Sequence, residues 1–212
     1  NTEARGRIPE NMNKKTYFTV GPTQLYPTVK KHVAFALEND IASISHRGEA
    51  FMEMYESTMG NVRKLLGTPK EFDMFFLSSG TEAMERVIEN CVEKKSGHVV
   101  YGAFSGRWWN TAKSLGKETE DFTVLEGEVP NLGEVTFSND VELIAVTHNE
   151  TSTGGMVQYI ELPLLQEKHP NALIGLDIVS SAPVVQVPWG AVDLVFFSFQ
   201  KGFGMPAGLA IL

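Results

Sequence analysis

Lys201 ends an apolar run in which Leu194, Val195, Phe196 and Phe197 lead through Ser198, Phe199 and Gln200 to a lone amine. Gly202, Gly204, Pro206 and Gly208 follow it as a turn. The pattern is a buried strand delivering an amine to its carboxyl-terminal edge, where open α/β sheets bind ligands. Desolvation disfavours an ammonium and lowers its pKa, so a lysine held there becomes a nucleophile able to form a Schiff base. A strand-end lysine also snorkels into water without any chemistry. The residues upstream separate these alternatives.

ALIGLDIVSS (172–181) is an apolar strand ending at Asp177, 24 positions before Lys201, room for a connection and one further strand. An acid and an amine at the ends of adjacent parallel strands face one crevice. That pairing suits a pyridine aldehyde such as pyridoxal phosphate: the amine holds the aldehyde carbon and the acid keeps the ring nitrogen protonated. A turn or helix-cap acid is the plainer reading of Asp177. Three further junctions carry small polar or aromatic groups. In SSGTEA (78–83) a strand meets a helix start, where free N–H groups and the helix dipole favour an anion. Gly80 lets a phosphate come close there, and the Ser79 and Thr81 hydroxyls add donors; a simple capping box with Glu82 or Glu85 explains the same residues. AFSGRWWNTA places Trp108 and Trp109 by the same edge, to stack on a planar ring or to fill core. THNETSTGG offers Thr151 or Ser152 to a phenolic oxygen, or an ordinary turn.

Alternating elements set these positions. The predicted strands are 74–79, 98–103, 122–126, 142–149, 173–179, 194–199 and 208–212; the predicted helices are 29–39, 48–66, 81–94, 107–116 and 161–168. Short apolar strands between helices predict an α/β fold, a seven-stranded, mostly parallel sheet with helices on both faces. GFGMPA is too short for a crossover helix, so the seventh strand runs antiparallel. The chain divides into a polar leader over 1–12, expected to be disordered, an arm with helices over 13–72, and the α/β domain over 73–212.

Composition narrows the class. A net charge of −8 argues against nucleic acid as a partner. No apolar stretch reaches the ~18 residues of a membrane span, and no signal-peptide pattern opens the chain. The single cysteine, Cys91, excludes an internal disulfide and a cysteine-clustered metal site, and it shares an apolar helix face with Met84, Val87 and Ile88. The five histidines show no ligand spacing, so no metal is expected; a cytoplasmic location is the default.

Taken in order, SxGTEA, GRWW, HNETSTG, DIVSS and VDLVFFSFQKGFGMPAGLA resemble the class V aminotransferases of pyridoxal-phosphate fold type I, from about Thr19 to Leu212. GPTQLYP and SISHRGEAF look like the phosphoserine aminotransferase branch, while HNETSTG and DIVSS are similar to alanine–glyoxylate and serine–pyruvate aminotransferases as well. The resemblance implies pyridoxal 5'-phosphate as cofactor. Lys201 would carry the Schiff base and act as general base, Asp177 would pair with the ring nitrogen, and Trp108 would stack on the ring. Thr151 would meet the phenolic oxygen, and Ser79, Gly80, Thr81 and Gln200 the phosphate. Gly21, His46 and Arg47 would serve the substrate, the His-Arg pair reaching a substrate phosphate from the partner subunit of a homodimer. That branch often has an arginine where this chain has Thr81.

The implied reaction is transamination, of phosphoserine with 2-oxoglutarate or, given Thr81, of alanine or serine with glyoxylate. Arg47 reads equally as a surface salt bridge to Glu49 or Glu53. Cysteine desulfurases share fold and cofactor but usually carry a histidine before the lysine, where Gln200 stands; a non-enzymatic module with an Asp177–Lys201 ion pair is a further alternative. Family members continue into a smaller carboxyl-terminal domain with a carboxylate-binding arginine. That domain is expected to be absent here, leaving weak cofactor binding and negligible turnover. Tyr17, Phe18, Leu25 and Tyr26 of the arm would be left exposed in a monomer, which predicts the homodimer.

Overall fold

The computed structural model describes residues 15–125 and 127–212, so the 1–12 leader lies outside the described residues. Helices α1 (Val29–Glu38) and α2 (Glu49–Leu66) come first. There follow β1 (Phe76–Leu77), α3 (Gly80–Cys91), β2 (Lys95–Val100), α4 (Ala103–Ser114), β3 (Glu118–Thr123) and β4 (Leu143–Thr147). A small hairpin of β5 (Asn149–Glu150) and β6 (Gly155–Met156) leads to α5 (Leu162–Lys168), β7 (Leu173–Asp177), β8 (Leu194–Ser198) and β9 (Ala210–Ile211). Seven strands form one sheet in the order β1-β9-β8-β7-β4-β2-β3. The five from β8 to β3 are parallel, and β9 runs antiparallel to both its neighbours, as the short last connection requires.

Period-two alternation gives the sheet two apolar faces. Leu143 and Ala145 of β4 and Phe196 of β8 pack with Val87 and Ile88 of α3 and Trp108 of α4. Ile144 and Val146, with Val195 and Phe197, pack on the other face against Val62 and Leu66 of α2 and Leu162 and Leu165 of α5. All parallel strands therefore end at one edge, and α3 and α4 begin there.

Several boundaries differ from the sequence reading. β1 is two residues rather than six, β2 starts at Lys95 rather than 98, and β3 covers Glu118–Thr123 rather than 122–126. The polar ETED stretch hides β3 because it is the outer strand, paired on one side and open to water on the other. α4 starts at Ala103, four residues before 107, and this shift changes which aromatic meets the crevice.

Candidate active site

A cavity of about 270 Å³ opens at the carboxyl-terminal edge, between the ends of β7 and β8, the first turns of α3 and α4, and the amino-terminal arm. Lys201, Asp177, Gln200, Gly80, Thr81 and Thr151 line it, together with Ser79 and Gly21. β8 ends at Ser198 and the chain turns tightly, with Gly204 at φ +58°. A side chain at Gly204 would press on Tyr26 of the arm, 2.7 Å from its ring. The arm is tied to this turn: Thr23 N–H donates to Gln200 O (2.8 Å), Thr23 Oγ1 to Lys201 O (2.5 Å) and Tyr26 N–H to Gly204 O (3.0 Å). Lys201 Nζ itself donates to Val20 O at 3.0 Å. Gly21, at φ +138°, leaves room for this amine, since a Cβ there would lie 2.4 Å from Nζ.

The opposite end of the cavity is the start of α3. Ser79 Oγ accepts the Glu82 N–H at 3.1 Å, and Glu82 in turn accepts from Ser78 N–H and Oγ at 2.7 and 2.6 Å. Ser79 is therefore the helix cap, and the amides of Gly80 and Thr81 remain without a protein acceptor among the described residues. A Cβ on Gly80 would sit 3.0 Å from Val179 Cγ2 and 3.2 Å from Ser198 Oγ, so the backbone lies close against the cavity wall. Gln200 Oε1 and Ser198 Oγ line the same space, buried and with no hydrogen-bond partner among the described residues. Two free amides and an orphaned hydroxyl at one place can donate to an anion, while the orphaned amide oxygen of Gln200 beside them asks for a donor, so the cradle suits a ligand that carries both.

Burial sets the charges. Desolvation lowers the Lys201 pKa, opposed by the Asp177 charge. Desolvation also raises the Asp177 carboxyl to about 7, against the Val179 N–H bond at 2.8 Å and the Lys201 charge, with Glu150 pushing further upward. The cavity thus holds an amine eased toward its neutral, nucleophilic form and an acid able to keep a proton near neutrality.

The α4 wall corrects one expectation. Trp108 does not line the cavity: it is 1% exposed, packs edge-on against Phe196 with centroids 5.0 Å apart, and lies over Gly175. Because α4 begins at Ala103, the first-turn aromatic is Phe104, and Trp108 falls one turn on, on the face toward the sheet. Phe104 and Arg107 line the cavity instead. The buried Glu150 fixes that early start. Its carboxylate accepts from the N–H of Phe104 (3.1 Å) and Ser105 (2.8 Å), from Ser105 Oγ (2.9 Å) and from Ser152 Oγ (2.7 Å). Ser152 Oγ also accepts Ala103 N–H at 2.8 Å. Ser152 is thereby committed to the helix start, while its neighbour Thr151 lines the cavity.

An amine and an acid at adjacent strand ends, facing a helix-start cradle, agree with what the comparisons give. The profile described as aminotransferase class V matches residues 17–212. The chain belongs to the class V aminotransferase family. L-Aspartate–glyoxylate aminotransferase of Paracoccus denitrificans is 31% identical over 92% of this chain and 50% of its own length. Phosphoserine aminotransferase of Delftia acidovorans is 29% identical over 95% of this chain and 57% of its own. The crystal structure of a phosphoserine aminotransferase from Cytophaga hutchinsonii superimposes with a TM-score of 0.90 at 44% identity, covering 94% of this chain and 55% of that one. The chain spans about half the length of the curated relatives it matches.

The remaining residues of this class V chain fall in two groups. His46 and Arg47 are exposed before α2 and do not line the chain's own cavity, and no ion pair joins Arg47 to Glu49 or Glu53 among the described residues. Cys91 is half-buried at the far end of α3, about 16 Å along the helix from Gly80, and no cysteine lines the cavity. Sequence reasoning missed Phe104, Arg107, Asn149 and Glu150. Phe104 and Arg107 were visible in AFSGRWW, but the start of their helix is set by Glu150, 46 residues beyond Phe104, which no local capping pattern reveals.

Proposed function

We propose that this chain is the cofactor-binding part of a pyridoxal-phosphate-dependent aminotransferase that moves an amino group between an amino acid and a 2-oxo acid. The observation that carries the reading is the convergence of Lys201 and Asp177 on a cavity whose far end offers the free amides of Gly80 and Thr81. The orphaned Ser198 hydroxyl can donate to the same ligand, and the orphaned Gln200 oxygen can accept from one of its protonated groups. When bound, pyridoxal phosphate supplies an aldehyde for amines and a ring that draws electrons from the substrate's α-carbon. Lys201 Nζ would hold the aldehyde until an incoming substrate amine displaces it, and the freed amine would then move the α-proton, a task its lowered pKa favours. Asp177 would pair with the ring nitrogen and keep it protonated, Phe104 would offer its face to the ring, and Thr151 and Ser79 would add polar contacts.

Adding pyridoxal phosphate to the purified protein is expected to give a visible absorbance band that Lys201→Ala abolishes, with half-reaction rates down about 10³-fold or more. Near wild-type turnover by that variant would sink the reading. For the substrate we favour phosphoserine with 2-oxoglutarate, supported by Arg47, which makes no ion pair among the described residues, and by the likeness to phosphoserine aminotransferases. Glyoxylate as acceptor is the second reading, favoured by Thr81 and by the Paracoccus relative. A half-reaction panel of phosphoserine, serine, alanine and glutamate decides between them, and phosphoserine kinetics untouched by Arg47→Ala would remove the first.

A homodimer completes the proposal. Phe18 is 93% exposed and Val20 and Leu37 are each 72% exposed, on an arm and helix that lie before the sheet domain. A partner covering them would also present its His46 and Arg47. A sedimentation profile showing only monomer at micromolar concentration would count against it. The cytoplasm is the setting this reading assumes; among the described residues no helix is long and apolar enough to cross a membrane.

A further inference from the structure

Arg107 is the charge in the cavity that nothing above employs. We propose that its guanidinium binds the phosphate of the cofactor, an inference that rests on the pyridoxal-phosphate reading of the site. The residues lining the cavity include two cations, Lys201 and Arg107, and one acid, Asp177. Lys201 is committed to the aldehyde and Asp177 to the ring nitrogen. A phosphate monoester carries roughly 1.5–2 negative charges at neutral pH. The groups that meet it at the start of α3, the amides of Gly80 and Thr81 and the side chain of Gln200, are dipoles without net charge. Arg107 is the cation left to balance it.

Its placement agrees. α3 and α4 pack side by side, and Thr81 and Met84 from the first turns of α3 line the same cavity as Arg107. The guanidinium carbon lies 5.9 Å from the centroid of Phe104, and Lys201 Nζ also lies 5.9 Å from that centroid. Both cations therefore lie within reach of the ring assigned to cover the cofactor, one to serve the aldehyde and the other the phosphate. No group among the described residues holds the Arg107 guanidinium elsewhere by an ion pair or hydrogen bond. The ion pairs among the described residues belong to Arg86 and Lys95, and the side-chain bond at Arg107 runs from Thr111 Oγ1 to the Arg107 carbonyl, leaving the guanidinium free. The next cation of α4, Lys113, is occupied over the Trp109 ring at 3.1 Å. A planar guanidinium suits paired phosphate oxygens better than an ammonium does.

The test compares pyridoxal phosphate with pyridoxal, the same aldehyde without the phosphate. Dissociation constants are read from the absorbance of the bound aldehyde on purified, cofactor-free protein. Arg107→Ala is expected to weaken pyridoxal phosphate about tenfold or more while leaving pyridoxal within about twofold. Arg107→Lys should recover part of the loss, and inorganic phosphate should compete less well against Arg107→Ala than against wild type. Matching far-UV circular dichroism checks that each variant folds. Equal weakening of both aldehydes would overturn the inference, because Arg107 would then be supporting the wall and not the phosphate. Unchanged affinity for pyridoxal phosphate, with weaker binding of an anionic amino acid, would overturn it in favour of a substrate role. Wild-type protein that bound neither aldehyde would remove the proposed function itself, so the two failures are distinguishable.

Discussion

Asp177 and Glu150 are both carboxylates taken out of water, 4% and 0% exposed, at adjoining parts of the sheet edge. Their surroundings treat them in opposite ways. Glu150 receives donors from Phe104, Ser105 and Ser152, and although burial pushes its carboxyl up, these bonds outweigh it and hold the pKa below the usual range. Asp177 receives one donor among the described residues, the Val179 N–H, and desolvation wins. A buried charge with its lone pairs filled is a structural fastener; one left underserved keeps capacity for a ligand. The contrast assigns the β5–α4 junction to holding the wall and the β7 end to chemistry.

The largest expected effect comes from exchanging the roles of the two residues under mutation. Glu150→Ala strips acceptors from the Phe104 and Ser105 amides and the Ser105 and Ser152 hydroxyls, which should cost roughly 3 kcal/mol of stability. Asp177→Asn removes a costly buried acid, so stability should hold or rise while the half-reaction slows by about 10²-fold or more. Urea unfolding and single-turnover absorbance measure the two quantities. A stability loss in Asp177→Asn as large as that in Glu150→Ala would erase the distinction.

The two regions also differ in how far the sequence disclosed them. The β7 and β8 ends were legible because an apolar run that stops at Asp177 or reaches Lys201 states its own boundary. Ser79 to Thr81 were legible for a similar reason, since Ser-Gly-Thr after Leu77 is a helix start. The α4 wall was not. Gly102 has no capping side chain, Ser105 is an inconspicuous residue, and the acceptor for the first turn comes from Glu150 on a distant hairpin. With the helix placed four residues late, the cavity aromatic became Trp108 where the structure presents Phe104. β3 went wrong for a related reason: the sequence carries no record of which strand will be outermost. Antiparallel β9 and the two-sided core followed from connection length and apolar alternation, which are local.

Opposite pKa shifts also make opposite limbs in the pH dependence of stability, a smaller effect that sharpens the comparison. For Asp177 the folded carboxyl titrates at about 7, above the unfolded value. Well below pH 4 both states hold the proton and the group contributes no difference. Between about 4 and 7 the unfolded chain has released a proton that the native chain keeps, so raising the pH favours unfolding, by at most about 1.4 kcal/mol per unit. For Glu150 the folded pKa is lowered, so its contribution is complete above the unfolded value and is lost as pH falls through the folded one. Cofactor-free protein should therefore lose stability on the acid side through Glu150 and on the neutral side through Asp177. Urea titrations near pH 3.5, 5 and 7.5 read both limbs. Asp177→Asn should flatten the neutral limb and leave the acid limb, while Glu150→Gln should flatten the acid limb and leave the neutral one. A neutral limb that persists in Asp177→Asn would assign it to another group, and the contrast between an underserved β7 acid and a fully served Glu150 would then lose its titration signature.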